Sequence, residues 1–174
     1  MMGFKSKLAN RILSSKLSSV NREKRIFNLD SASSAGIVWE IDQKESFERM
    51  ESELKKAGVS TTGLCYLPIK KAVIPTEING FTRKQTKWGA IPETRNAEDF
   101  ISQEFDILID LTCQKHFPLI YVIGLSKANF KIGYAGYSAN YFDLNIEFKE
   151  QPETGHLADQ ILYYLKRINK TTIE

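Results

Sequence analysis

Residues 37–41 read Ile37-Val38-Trp39-Glu40-Ile41, with Asp42 directly after them. A short, β-branched, mostly apolar run of this kind suits a strand covered on both faces. Asp42 with Glu45 three residues on has the form of a capping box. Phe47, Met50, Leu54 and Ala57 then recur at helical spacing until Gly58 supplies a C-terminal cap. Thr61 to Leu67 forms a second strand, closed by Pro68. Strand, capped helix and strand in this order predict a right-handed parallel crossover, and with it a Rossmann-like sheet.

The same rhythm returns downstream. Residues 68–92 are punctuated by Pro68, Pro75, Gly80 and Pro92 and read as an irregular insertion with one edge strand, anchored by Phe81 and Trp88. Asn96 is placed to cap a helix carrying Ala97, Phe100 and Ile101. Phe105-Asp106-Ile107-Leu108-Ile109-Asp110-Leu111 is the strongest buried-strand signal and belongs mid-sheet. Pro118 opens a helix whose run Leu119 to Ala128 is apolar nearly all round, as an interior helix requires. Phe130 to Tyr134 is a further strand, and Phe142, Leu144, Ile146 and Phe148 alternate as on a sheet edge. Thr154 is placed to cap a last helix with Leu157, Ile161, Leu165 and Ile168 on one face. The fold class read from these signals is α/β, a single Rossmann-like domain over residues 30–174. Its sheet is mostly parallel, of about five strands, with helices on both faces.

Ahead of it, residues 1–29 form a basic amphipathic arm. Lys5, Lys7, Arg11, Lys16, Arg22, Lys24 and Arg25 stand against Glu23, a surplus of six positive charges, so the rest of the chain carries −3 of the net +3. Phe4, Leu8, Ile12 or Leu13, Leu17 and Val20 give this segment an apolar stripe. The Ser/Ala-rich stretch Asp30 to Gly36 has linker composition, which predicts a helix separable from the domain. Its basic residues suit an anionic membrane surface, nucleic acid or a protein partner, and its composition also fits a transit peptide. The other reading is a stripe packed on the body.

Composition narrows the class. At 174 residues, 42% hydrophobic and 26% charged, the chain is long enough for one core and is neither disordered nor fibrous. No apolar run approaches the roughly 18 residues of a bilayer span, and no secretory h-region opens the chain, so a cytoplasmic protein, peripheral to the inner face of the membrane through its arm, is expected. Cys65 and Cys113 with two histidines are too few for a disulfide framework or a structural zinc site, and no metal is expected. The first βα turn, Ile41 to Lys44, contains no glycine, and no Walker motif is present, so no dinucleotide and no other cofactor is expected.

Lys87-Trp88-Gly89, the run Ser126 to Gly133, Phe105 to Ile109, and Leu162 to Lys170 together resemble a bacterial family known only as a domain of unknown function, about 170 residues long. The resemblance spans nearly the whole chain, including the basic N-terminal helix. It implies an architecture and no mechanism. Phe105 to Leu111 followed by Ile132-Gly133-Tyr134 is also similar to the acceptor-binding half of heptosyltransferase-type glycosyltransferases. That likeness implies a remnant acceptor site without the nucleotide-sugar domain.

Ligands of open parallel sheets bind beyond the carboxyl ends of the strands, which points to the loop after Asp110: Thr112, Cys113, Gln114, Lys115 and His116. Asp110, Thr112, Gln114, Lys115 and His116 are the candidate ligand-binding residues. Cys113 and His116 also contain the ingredients of a nucleophile and a base, although Cys–His catalysis draws its members from separated parts of a chain. Asp106 and Asp110 share a strand face and invite reading as a carboxylate pair, with Asp106 at the exposed start. Gly133 to Gly136 reads as a turn, and His156 as a solvated helix residue. Two functions follow. The leading one is a non-catalytic or degenerate α/β binding or adaptor protein attached through its basic helix. The other is a small enzyme or ligand-binding domain using the mouth around Asp110 to His116.

Overall fold

The computed structural model describes residues 4–69, 73–87, 91–136 and 141–168, with side chains from Lys7 onward. Helix α1 (Phe4–Leu17) precedes strand β1 (Ser34–Glu40), helix α2 (Lys44–Lys56) and strand β2 (Ser60–Leu67). Three short strands follow, β3 (Gly80–Thr82), β4 (Thr86–Lys87) and β5 (Ile91–Pro92), then helix α3 (Arg95–Ser102) and strand β6 (Ile107–Asp110). Helix α4 (Phe117–Leu125), strands β7 (Phe130–Tyr134) and β8 (Leu144–Ile146) and helix α5 (Thr154–Arg167) complete the chain. The main sheet has six strands in the order β3-β2-β1-β6-β7-β8, every pair parallel. This is the doubly wound order, in which the chain runs outward one way from β1 and then the other way from β6. The sixth strand, β3, is the edge strand expected within the irregular segment, and β4 and β5 pair antiparallel as a separate ribbon.

Both faces of the sheet are covered. Ile37, Trp39, Ile107, Ile109 and Ile132 pack against Met50 and Leu54 of α2 and Leu157, Ile161 and Leu165 of α5. Val38, Leu64 and Leu108 face Ala97 and Phe100 of α3 and Leu119, Val122 and Ile123 of α4. A third layer lies outside this one. Ala9 and Leu13 of α1 are buried against Ile120, Tyr121 and Leu125 of α4. Helix α4 is therefore enclosed between sheet and α1, which is why its sequence is apolar all round. Ile12, Leu17 and Val20 of the stripe are partly buried against the same layer, so the stripe packs on the body, the second of the two readings. Residues beyond the helix are tied down too. Arg22 grips both carboxylate oxygens of Asp143 at 2.7 and 2.8 Å and also donates to the carbonyls of Ala128 and Asn129.

Local details correct several boundary readings. The turn after β1 is a single 3-10 turn, Ile41–Gln43, in which Gln43 Oε1 accepts the Glu40 N–H at 2.9 Å; Glu40 and Gln43 take the places expected of Asp42 and Glu45. Thr94, not Asn96, caps α3 by accepting the Ala97 N–H, leaving the Asn96 amide to donate to the Gly80 carbonyl. Glu153 is the residue that precedes α5, so Thr154 is its first helical residue. Gly58 does end α2. Its φ of 81° allows the Val59 N–H to reach the Leu54 carbonyl and its own N–H to reach Lys55, a Schellman closure that a side chain would strain. Gly133 lies inside β7 and is not a turn residue; the Phe142 ring occupies the space its side chain would fill. Phe4 and Lys5 lie outside the described side chains, and Trp88, Gly89, Tyr137, Asn169 and Lys170 lie outside the described residues.

Candidate functional site at the switch point

The strand order reverses between β1 and β6, and their carboxyl ends form the mouth. Parallel pairing sets Val38 beside Asp110, so Glu40, two residues on, leaves the sheet on the same face as Val38, Asp110 and Thr112. Tyr66 of β2 is the lateral neighbour of Glu40. His116, the residue before α4, completes the group: its Nε2 sits 3.0 Å from Glu40 Oε2, and its ring lies 5.4 Å from that of Tyr66. The imidazole is at ion-pair distance from the carboxylate without the alignment of a hydrogen bond.

Burial makes this cluster electrostatically unusual. Asp110 is fully buried, with Oδ1 accepting the Thr112 N–H at 2.9 Å. Among the described residues its Oδ2 has no hydrogen-bond partner, and neither does Glu40 Oε1. Removal from water pushes the Asp110 carboxyl up to about 7, with the Thr112 bonds pulling the other way. His116 is raised as well, chiefly by Glu40, against the opposing effect of its own burial. The mouth thus sets an acid cut off from water beside an imidazole that faces the Glu40 carboxylate. Perturbed groups of this kind concentrate at functional sites.

Of the residues singled out from sequence, Asp110, Thr112 and His116 meet here. Gln114 and Lys115 lie on the exposed part of the loop. Cys113 belongs to the opposite face, in the core against α5, with its thiol near Thr154 Oγ1 and pushed up to about 11 by burial. It is not paired with His116 as a nucleophile. Asp106 does not pair with Asp110, because it sits at the amino end of β6 and accepts the Ser33 and Ser34 N–H groups. His156 is exposed against the Phe148 ring. Sequence reading missed Glu40 and Tyr66. The signal for Glu40 was a charged residue inside an otherwise apolar strand, next to the turn where such sheets bind ligands.

The basic residues divide. Lys7 and Arg11 are exposed on the outer side of α1. Lys16 donates to the Tyr121 hydroxyl at 2.8 Å, Lys24 lies 3.8 Å from Asp143, and the Arg25 guanidinium covers the Phe27 ring. A cleft of about 330 Å³ opens beside Arg22, Lys24, Lys131, Tyr141 and Asp143. Its buried cations are already engaged, Arg22 by Asp143 and Lys131 by the Ile123 and Gly124 carbonyls that end α4. No group of three His, Cys, Asp or Glu side chains among the described residues is arranged to hold a metal ion. Nor is any described helix long and apolar enough to cross a membrane.

These features define a doubly wound Rossmann-like domain with an acidic, histidine-covered switch point in place of a glycine-rich phosphate cradle. The chain belongs to a family of unknown function (DUF6913), whose model matches residues 5–168. No curated protein matches it in sequence. The likeness to heptosyltransferase-type enzymes finds no support in these comparisons.

Proposed function

We propose that this is a non-catalytic binding protein that takes a small ligand at the mouth between β1 and β6. The observation that carries the reading is the pair of buried, unpartnered carboxylate oxygens, Glu40 Oε1 and Asp110 Oδ2, where open parallel sheets receive ligands. Buried polar atoms without partners cost about 1–3 kcal/mol each, and a ligand that satisfied them would recover that cost. Cys113 turned to the far face argues against nucleophilic chemistry at this mouth. The test is a metabolite-library screen by amide NMR on the full chain. A ligand should shift the amides of residues 39–43 and 110–116 and lose affinity in Glu40→Gln and Asp110→Asn. Hits confined to other surfaces, or indifferent to both substitutions, would overturn the reading.

A second element of the proposal concerns attachment. The outer side of α1 presents Lys7 and Arg11 while Ala9 and Leu13 are spent on α4. This favours a docked basic face used as an adaptor surface toward an anionic partner, as for a bacterial cytoplasmic protein at the inner face of the membrane. Salt-sensitive binding to anionic vesicles, lost in a Lys7→Ala/Arg11→Ala double variant, is the expected result. Equal binding by both proteins would end it.

A further inference from the structure

The mouth can be asked what kind of ligand it would accept, an inference that rests on the binding reading above. Doubly wound sheets hold phosphates at this point because a glycine-rich turn and the free N–H groups of a helix N-terminus converge there. In this chain neither device is built in that way. The turn after β1 has no glycine, and the Glu40 N–H already donates to Gln43 Oε1. At the start of α4, Pro118 has no N–H to offer, and the Leu119 and Ile120 N–H groups both donate to the His116 carbonyl.

What the mouth offers instead is acceptors. Glu40 Oε1 and Asp110 Oδ2 are buried and unsatisfied, and Asp42 adds a third carboxylate close enough to bear on His116. An anion brought here would meet the buried carboxyl groups of Glu40 and Asp110, with exposed Asp42 beyond them, whereas a cation with N–H donors would answer both the charge and the open lone pairs. The solvent side of the cluster is His116, whose side chain is 22% exposed against 7% for that of Glu40. The imidazole stands over Glu40, its Nε2 3.0 Å from Oε2, where an N–H donor of such a ligand would lie.

We propose that the ligand of this site is an organic cation, a protonated amine or a guanidinium, received by Glu40 and Asp110 when the His116 ring swings away. The experiment titrates the full chain with putrescine, methylguanidine, ribose and pyrophosphate, following the amides of residues 39–43 and 110–116. At least one of the two cations should shift these amides, putrescine if the site takes an amine and methylguanidine if it takes a guanidinium. Pyrophosphate and ribose should leave them unmoved. Glu40→Gln and Asp110→Asn should each weaken the cation by about 10- to 100-fold, the loss of one charge-assisted hydrogen bond. His116→Ala, which removes the competing cover, should tighten it; weaker or unchanged cation binding in that variant would overturn the proposal. Binding of pyrophosphate or ribose at these residues would overturn the cation proposal while leaving the mouth a ligand site. Silence from both cations would overturn it as well, and the library screen would then decide the binding reading separately.

Discussion

Glu40 and Asp110 leave neighbouring parallel strands on the same face of the sheet, and each keeps one carboxylate oxygen buried without a partner. Few arrangements are so costly without a compensating group. The cost should be visible in the pH dependence of folding. Asp110 is raised to about 7 in the folded protein from an ordinary carboxylate value near 4. The folded state therefore holds more protons than the unfolded state between these values, and stability falls as pH rises across that window. In Asp110→Asn this component should vanish. Urea unfolding of both proteins from pH 4 to 8 measures it, and parallel curves would contradict the assignment.

The mouth should refuse dinucleotides. With no glycine in the first βα turn and an acidic residue, Asp42, within it, millimolar NAD should produce no thermal stabilisation. A rise of several degrees would show that the turn rearranges to admit a phosphate.

Ile109 sits at the centre of the sheet, fully buried between α2 and α5 on one side and paired with Ile37 and Ile132 laterally. Ile109→Ala should cost about 2–5 kcal/mol through lost transfer energy and the cavity left behind. A loss below about 1 kcal/mol would mean that the site collapses around the smaller side chain.

Leu13 tests the docking of α1. It is buried against α4, so Leu13→Ala should destabilise the whole domain by about 2–5 kcal/mol in a single cooperative transition. A freely mobile arm would give almost no effect.

Lys131 presents the opposite linkage from Asp110. It is buried on β7, its ammonium donating to the Ile123 and Gly124 carbonyls, and burial with Arg22 close by lowers it to about 7. Above that value the folded state has given up a proton that the unfolded chain retains up to the usual lysine range, so this group makes stability rise with pH from about 7 toward 10. Lys131→Met should lack that rise, which denaturant melts of the two proteins at pH 7 and 9 would compare.

Much of the architecture was written locally. Apart from Glu40 and Asp110, the runs at 37–41 and 107–111 are apolar because parallel strands lie under helices on both faces, and Gly58 marks a helix end because a left-handed residue is needed there. Membership of the mouth was legible in part, since Asp110, Thr112 and His116 follow from where ligands of such sheets bind. Capping residues shifted by one or two positions, as with Thr94 for Asn96, because neighbouring polar residues compete for the same N–H groups. The sequence alone also contained a helix apolar on every side and, a hundred residues earlier, an amphipathic one, without stating that the second covers the first. Only the tertiary structure decided that, together with the Glu40–His116 contact, the Arg22–Asp143 grip and the buried ammonium of Lys131. Each joins residues from separate elements, and which partner a charge finds depends on strand order and register, a property of the assembled sheet that no local pattern encodes.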